Sequence, residues 1–85
     1  MAGYKVGIKR SAAKELEELP LRERRRVVRR IYALANDSRP QGCEKLSGDE
    51  KYRVRQGSLR IVYEVDDRRS AVTIVKIGHR RDVYR

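Results

Sequence analysis

The chain has 85 residues and a formal net charge of +10, from 22 lysines and arginines against 12 acidic residues. This length predicts a single small domain over residues 1–85. The chain has one cysteine, Cys43, so it cannot form an internal disulfide. One cysteine and one histidine cannot complete a zinc site, and we predict neither metal nor cofactor. No stretch approaches the ~20 apolar residues of a membrane span, and we expect a cytoplasmic protein without a membrane partner.

The charge balance predicts a polyanionic partner, because a strongly cationic surface attracts and captures nucleic acid. Many of the arginines are crowded between Leu21 and Asn36. Solvated arginines are common on helices, so charge alone leaves a generally basic surface as an equal alternative. The prediction of a nucleic-acid partner therefore depends on the arginines elsewhere in the chain.

The first half of the chain predicts a strand and two helices. Residues 4–9 alternate apolar and polar side chains, which is typical of a strand. Ser11 suits the N-cap of a short helix, and Pro20 ends that helix or begins the next. From residue 21 to about 36, apolar residues recur at helical spacing with arginines on the opposite face. Arg24 falls on the apolar side and is expected to extend to its edge.

The second half predicts a loop and three strands. Residues 36–50 form the loop, with Leu46 as its anchor. The strands are predicted over residues 51–55, 59–65 and 71–78, and the last is nearly continuously apolar, which predicts a central strand covered on both faces. The order β-α-α-β-β-β predicts an α+β fold, in which a helical hairpin packs on one face of a small, antiparallel-dominated sheet.

The hairpin of residues 51–65 carries a candidate site. A loop at 56–57 would place Arg53 opposite Arg60, and a loop at 57–58 would place Arg55 there instead. Either register puts the three arginines on one face and the apolar side chains on the other. Residues 51–63 contain no acidic residue to relieve the repulsion between these arginines. We therefore predict an anion site, with phosphate as the expected anion.

Two aspects of this hairpin have alternative readings. Arg60 could form an ion pair with Glu64 or Asp82 instead of binding a phosphate. Tyr52 and Tyr63 fall on the apolar side of the hairpin, and we predict that they belong to the core rather than to the site.

Four segments carry motifs that can be compared with known families: Lys45-Leu46-Ser47-Gly48, Tyr52-Arg53-Val54-Arg55, Leu59-Arg60-Ile61-Val62-Tyr63-Glu64-Val65 and Ile77-Gly78-His79-Arg80-Arg81-Asp82-Val83-Tyr84. With the opening strand and the two helices, they resemble the RelE/ParE toxin superfamily of bacterial and archaeal toxin–antitoxin modules. The last two segments resemble the RelE branch in particular. The resemblance implies a ribosome-dependent endoribonuclease that cuts mRNA in the ribosomal A site.

The resemblance also implies catalytic residues. Arg60 stands at the family's phosphate-binding arginine, Arg80 at its second catalytic arginine, and Tyr84 at its near-terminal catalytic tyrosine. His79 stands where the family tolerates lysine or histidine. The chain ends one residue after Tyr84, so a C-terminal helix found in relatives is not expected.

Further basic residues are expected to bind RNA or phosphate. Arg53 and Arg55 stand at a basic pair that is often lysine in the family, and arginine holds its proton too firmly to be a good general acid or base. Lys51 and Arg81 are expected to add positive charge beside the RNA.

The implied chemistry is attack of a ribose 2′-OH on the adjacent phosphate. Arg60 and a strand arginine could stabilise charge on the phosphoryl oxygens. The reaction also needs a base for the 2′-OH and an acid for the leaving oxygen. Tyr84, with its pKa lowered by arginines, and His79 are both candidates for the base, and the sequence leaves the choice between them open.

The partners implied are a cognate antitoxin, the ribosome and mRNA, with a higher-order toxin–antitoxin complex as a further expectation. A second class of function stays open: a ParE-like gyrase poison, or a catalytically inactive toxin that acts in a regulatory complex. The ParE branch shares the fold but usually lacks the full basic set and the terminal tyrosine. The presence of both here favours the nuclease.

Overall fold

The computed structural model describes residues 3–46 and 50–79, which form two helices and a five-stranded sheet. The elements in chain order are β1 (Lys5–Ile8), α1 (Arg10–Glu17), α2 (Leu21–Asn36), β2 (Glu44–Lys45), β3 (Lys51–Gln56), β4 (Leu59–Asp66) and β5 (Ala71–His79). The strand order is β1-β5-β4-β3-β2, with β1 parallel to β5 and the other neighbours antiparallel. The predicted α+β class and the antiparallel-dominated sheet are confirmed.

The core lies between the sheet and the two helices. Tyr52 and Tyr63 stack within it, with ring centroids 5.8 Å apart, so the prediction that they belong to the core is confirmed. The other face of the sheet is covered by neither described helix, and we call it the open face. The buried core side chains are Ala12, Val27, Ile31, Leu34, Tyr52, Val54, Leu59, Ile61, Tyr63, Val65, Val72, Ile74 and Ile77.

The starts of the two helices follow from their flanking residues. The amide of Lys9 donates to the carbonyl of Ile74 at 2.9 Å, which continues the β1–β5 pairing to Lys9, the N-cap of α1. The Lys9 carbonyl then accepts the amide of Ala13 at 2.8 Å, so the predicted N-cap, Ser11, lies inside the first turn and that prediction is wrong. Pro20 is the N-cap of α2, as its missing N–H allows.

Arg24 connects the two helices, a contact that the sequence analysis did not predict. Its Nη2 donates to the carbonyls of Glu17 and Leu19 at 3.0 and 3.2 Å. These carbonyls lie at the end of α1 and just beyond it, where helical partners are missing. Within the described residues, neither helix is long and apolar enough to cross a lipid bilayer.

The region predicted as a loop contains a strand. In β2, Glu44 pairs with Arg53 and Lys45 pairs with Tyr52 of β3. Cys43, rather than the predicted anchor Leu46, packs against the core from this region. A strand of two residues is too short to show a period in the sequence, which is why it was not predicted.

The strand β5 is central, between β1 and β4, as predicted. Its side chains alternate in burial, however, with Val72 and Ile74 buried and Thr73 and Val75 only half-buried. The prediction of cover on both faces is therefore wrong, because the described helices lie on one face only.

Arg39 ties the segment after α2 to the sheet. Its guanidinium donates two hydrogen bonds to the carboxylate of Asp67, at 3.2 and 2.9 Å, and its Nε donates to the hydroxyl of Tyr52 at 2.8 Å. The hydroxyl of Tyr4 donates to the same carboxylate at 2.6 Å. This network joins the start of β1, the segment after α2, β3 and the turn between β4 and β5.

Candidate functional site

Arg53, Arg55 and Arg60 form the arginine cluster on the open face of the β3–β4 hairpin. Arg55 is directly opposite Arg60, and Arg53 is opposite Val62. Directly opposite residues share a face of the sheet, and alternate residues along a strand return to it. The prediction that these arginines share a face is confirmed, and the loop lies at residues 57–58, the second of the two predicted registers.

Arg60 is the most unusual member of the cluster. It is only 5% exposed, and its Nε is buried with no hydrogen-bond acceptor among the described residues. The residue opposite it on β5 is Gly78, so β5 contributes no side chain at that position. A buried donor without an acceptor is costly, and an anion bound there would satisfy it.

Glu64 does not neutralise Arg60. It lies directly opposite Lys51, and the two side chains form an ion pair at 3.9 Å. Asp82, the other carboxylate considered for Arg60, lies outside the described residues. Among residues 3–46 and 50–79, no ion pair involves Arg55 or Arg60. The pair of Lys51 with Glu64 sets Lys51 apart from Arg60, although both lie on the open face.

Lys51 also borders a separate hollow of about 650 Å³ near the β4–β5 turn. Glu50, Glu64, Asp66 and Asp67 bring four carboxylates to this hollow, against three basic side chains. Its balance of charge does not favour a polyanion. The predicted phosphate role of Lys51 therefore finds less support in its surroundings than the role of Arg60 does.

Arg53 differs from its two neighbours because it has an acidic partner. Its Nη2 and Nε donate to the same Glu44 oxygen, Oε1, at 2.6 and 3.1 Å. The absence of an acidic residue within residues 51–63 therefore does not leave all three arginines without a carboxylate. The relieving residue comes from β2, which lies outside the hairpin and was predicted as loop.

All three arginines of the cluster affect the pKa of the Glu44 carboxyl. Hydrogen bonding and charge attraction from Arg53 hold the pKa of the Glu44 carboxyl below its usual value, and the charges of Arg55 and Arg60 lower it further against the opposing effect of burial. Glu44 is thus ionised at neutral pH and lies in the field of all three arginines.

His79 lies at the end of β5 on the other face of the sheet. It is opposite Leu59, a core residue, whereas Arg60 is opposite the preceding Gly78. Its side chain is exposed and lines a hollow of about 470 Å³ with residues of α1 and Pro20. The described structure therefore does not bring His79 together with the arginine cluster.

Three of the predicted site residues, Arg80, Arg81 and Tyr84, lie outside the described residues. Their roles stay predictions based on the family resemblance. Within residues 3–46 and 50–79, no three His, Cys, Asp or Glu side chains are grouped as a metal site would require.

The chemistry available to the cluster is stabilisation of negative charge. Arg55 is exposed, Arg60 has an unused donor, and both are held on the β3–β4 hairpin. Guanidinium groups bind phosphoryl oxygens with directed hydrogen bonds but do not exchange protons near neutral pH. Any reaction at this site that needs proton transfer would require a group outside the three arginines.

Comparison with known proteins shows the family to which the chain belongs. The family described as "ParE toxin of type II toxin-antitoxin system, parDE" matches residues 6–84. The chain belongs to the RelE/ParE toxin superfamily. It is 33% identical to Toxin RelG of Mycobacterium tuberculosis over 88 aligned positions, which cover 96% of this chain and 97% of RelG. The chain is thus a toxin of the toxin–antitoxin class, as its motifs indicated.

Solved structures of RelE toxins share the fold. The toxin–antitoxin complex RelBE2 of Mycobacterium tuberculosis contains a chain with 26% identity and a TM-score of 0.83, with 94% of each chain covered. The archaeal RelE–RelB complex of Pyrococcus horikoshii contains one with 27% identity and a TM-score of 0.80, covering 92% of this chain and 96% of that chain. These neighbours are RelE toxins crystallised with RelB antitoxins, which supports the predicted RelE branch.

Two residues of this RelE-like toxin were missed by sequence analysis. Glu44 reaches the arginine cluster through a strand too short to be recognised, and Arg39 reaches Asp67 across 28 positions of the chain. An acidic residue beside the Lys45-Leu46 motif was the one available signal for Glu44, and nothing local indicated the partner of Arg39.

Proposed function

We propose that this toxin is a ribosome-dependent endoribonuclease, which cleaves mRNA in the A site and so inhibits translation in the cytoplasm. The observation that carries the proposal is Arg60: a nearly buried arginine whose Nε lacks an acceptor among the described residues, beside the exposed Arg55. A phosphate of the mRNA would supply the missing acceptor, and its negative charge would be attracted by both arginines.

In this proposal, the 2′-OH of one nucleotide attacks the adjacent phosphorus, and the 5′-oxygen of the next nucleotide leaves. Arg60 and Arg55 stabilise the negative charge that develops on the phosphoryl oxygens, with Arg80 as a further donor. Tyr84, as its phenolate, takes the proton from the 2′-OH, and a water molecule gives a proton to the leaving 5′-oxygen. The position of His79 on the opposite face of the sheet favours Tyr84 over His79 for this role.

The reaction has a chemical signature that tests it. Attack by the 2′-OH leaves a 2′,3′-cyclic phosphate on one fragment and a free 5′-OH on the other, without water entering the bond-breaking step and without a metal-bound nucleophile. Primer extension on mRNA from a translating extract, followed by analysis of the fragment ends, is the direct experiment. Cleavage that leaves a 3′-OH and a 5′-phosphate would overturn the mechanism, and no cleavage in the presence of ribosomes would overturn the function.

The proposed regulator is a cognate antitoxin, since the structural neighbours are toxins in complex with RelB. The net charge of +10 suits an acidic antitoxin segment that covers the arginine cluster, within a binary or larger complex. Binding that weakens both with added salt and with Arg60→Ala is expected. An antitoxin affinity indifferent to salt and to the cluster would count against this mode of neutralisation.

A second candidate function, poisoning of DNA gyrase, is favoured by one observation, the match to a family described as ParE toxin. A toxin that does not cleave RNA but acts in a regulatory complex belongs to the same non-enzymatic alternative. Inhibition of gyrase supercoiling by the purified toxin, together with intact mRNA in the translating extract, would establish this alternative over the nuclease.

A further inference from the structure

Glu44 brings a carboxylate into the arginine cluster from the neighbouring strand. It is directly opposite Arg53 in the β2–β3 pairing, so its side chain shares the open face with the three arginines. One oxygen, Oε1, accepts from two nitrogens of Arg53, at 2.6 and 3.1 Å. Short hydrogen bonds between ionised groups are among the strongest in proteins, so this contact fixes the Arg53 guanidinium.

The two partners differ in exposure. The side chain of Arg53 is 10% exposed, whereas that of Glu44 is 49% exposed. Arg53 is therefore held by its surroundings and by the carboxylate together, while the carboxylate itself stays accessible from solvent. An anion that approaches the cluster from the open face meets the Glu44 carboxylate as well as Arg55 and Arg60.

Attraction between Glu44 and the cluster also weakens the attraction of the cluster for any other anion. The arginines that stabilise the ionised form of Glu44 include Arg55 and Arg60, which lie beyond its direct partner. The formal charge of the three arginines is reduced from +3 to +2 by one carboxylate, and the remaining charge lies on the two arginines without a described ion pair. Glu44 and a phosphate bound at the cluster would both be anions close to the same arginines, so they would repel each other.

We propose that Glu44 is a positioning residue that holds Arg53 as part of the scaffold and lowers the affinity of the arginine cluster for phosphate. Arg55 and Arg60 are then the cluster arginines that contact the RNA. The inference rests on the proposed function, because it takes an RNA phosphate as the ligand. Weaker binding of the ground state does not slow the chemical step, since binding that is equal in ground and transition states does not raise kcat.

The experiment is binding of a fluorescent single-stranded RNA to the purified toxin over a range of salt concentrations. Glu44→Gln keeps the shape and the acceptor oxygen but removes the charge. We expect it to bind RNA about fivefold more tightly at low salt, the effect of one unit charge roughly 4 Å away in water. The slope of log affinity against log salt should become steeper by about 0.7, as for one additional phosphate contact on a single strand.

Two variants serve as controls. Glu18→Gln makes the same change of charge on the helix side of the molecule and should leave both affinity and slope close to wild type. Glu44→Asp keeps the charge and should restore wild-type affinity, which a purely structural role of the longer side chain would not predict. If Glu18→Gln increased RNA affinity as much as Glu44→Gln, the overall net charge of the protein would explain the effect, and the proposal would be overturned.

The outcomes separate this inference from the proposed function. RNA binding by the wild type that does not depend on Arg60 contradicts the phosphate site itself. Binding that depends on Arg60 but is unchanged by Glu44→Gln overturns the role of Glu44 and leaves the site intact. If Glu44→Gln does not fold, Arg53→Gln is the second variant: it releases the carboxylate and should weaken RNA binding, and wild-type affinity in that variant overturns the proposal.

Discussion

Arg55 lies directly opposite Arg60 across the β3–β4 hairpin, so two cations face each other within one pair of strands. Like charges in this position destabilise a sheet, and no described ion pair relieves either residue. The arrangement therefore costs stability in the absence of an anion. A phosphate-binding surface requires concentrated positive charge, and the cost in stability follows from placing these two cations side by side.

The first prediction concerns this trade between stability and binding. Arg55→Gln should raise the free energy of unfolding by about 0.2–1 kcal/mol at low salt, because it removes the cross-strand repulsion. The same variant should gain less thermal stability from added inorganic phosphate than the wild type does. Thermal unfolding with and without phosphate measures both effects. A variant that is less stable than wild type and equally stabilised by phosphate would show that the two arginines do not bind an anion together.

The second prediction concerns catalysis by Arg60. Arg60→Ala should lower the cleavage rate on the ribosome by about 10²–10³, the usual loss when one charge-stabilising donor is removed. Arg60→Lys should recover only part of this rate, since an ammonium group lacks the directed pair of donors. Arg68→Ala, an exposed arginine in the β4–β5 turn, is the matched control and should cleave as wild type. A folded Arg60→Ala toxin with the wild-type rate would remove Arg60 from the site.

The third prediction concerns the proton. Tyr84→Phe should lower the single-turnover cleavage rate with little loss of ribosome affinity, because the ring is kept and only the hydroxyl is lost. His79→Ala should leave the pH dependence of this rate unchanged, since His79 is on the face away from Arg60. If His79 were the base, its loss would instead change the pH dependence of this rate. A silent Tyr84→Phe combined with a damaging Tyr84→Ala would reduce Tyr84 to a stacking platform.

The hairpin and its arginine face could be predicted from sequence because the signal is local. Tyr52, Val54, Ile61 and Tyr63 repeat with a period of two, and this fixes which face each arginine takes whatever the loop. The choice between the two registers depended on the backbone at Gly57, which a single sequence does not specify. The three-dimensional structure was needed to pair Arg55 rather than Arg53 with Arg60.

The parts that could not be predicted depend on contacts between distant segments. β2 is a strand because it pairs with β3, and its two residues have no period of their own. Ser11 has the right side chain for an N-cap, but the β1–β5 pairing continues to Lys9 and starts α1 earlier. In both cases tertiary pairing overrides a local preference, and in the first it brings Glu44 to the site.

The fourth prediction concerns acid stability. Hydrogen bonds from Arg39, and then from Tyr4, hold the pKa of the Asp67 carboxyl below its usual value. A carboxyl with a lowered folded-state pKa stabilises the fold above its unfolded value of about 3.9, and this stability is lost as pH falls through the folded-state pKa. Stability of the wild type should therefore decline below about pH 4. Asp67→Asn should be less stable at pH 7 and should show a shallower decline, as measured by urea unfolding at several pH values; equal acid dependence in both would contradict the role of Asp67.

The last prediction concerns the turn that sets the register of the arginines. Gly57 has a φ of 62°, a left-handed value that side chains with a Cβ adopt at a cost, and a Cβ added there would meet no atom within 4 Å. Gly57→Ala should therefore destabilise the toxin by about 1–2 kcal/mol through backbone strain alone. Gly57→Asn should cost less, because asparagine tolerates this conformation. Chemical denaturation separates the two variants. Both should retain RNA binding under conditions where they are folded, since the pairing of Arg55 with Arg60 does not depend on the side chain at the turn; a Gly57→Asn toxin that is stable but fails to bind RNA would show that the turn itself contacts the ligand.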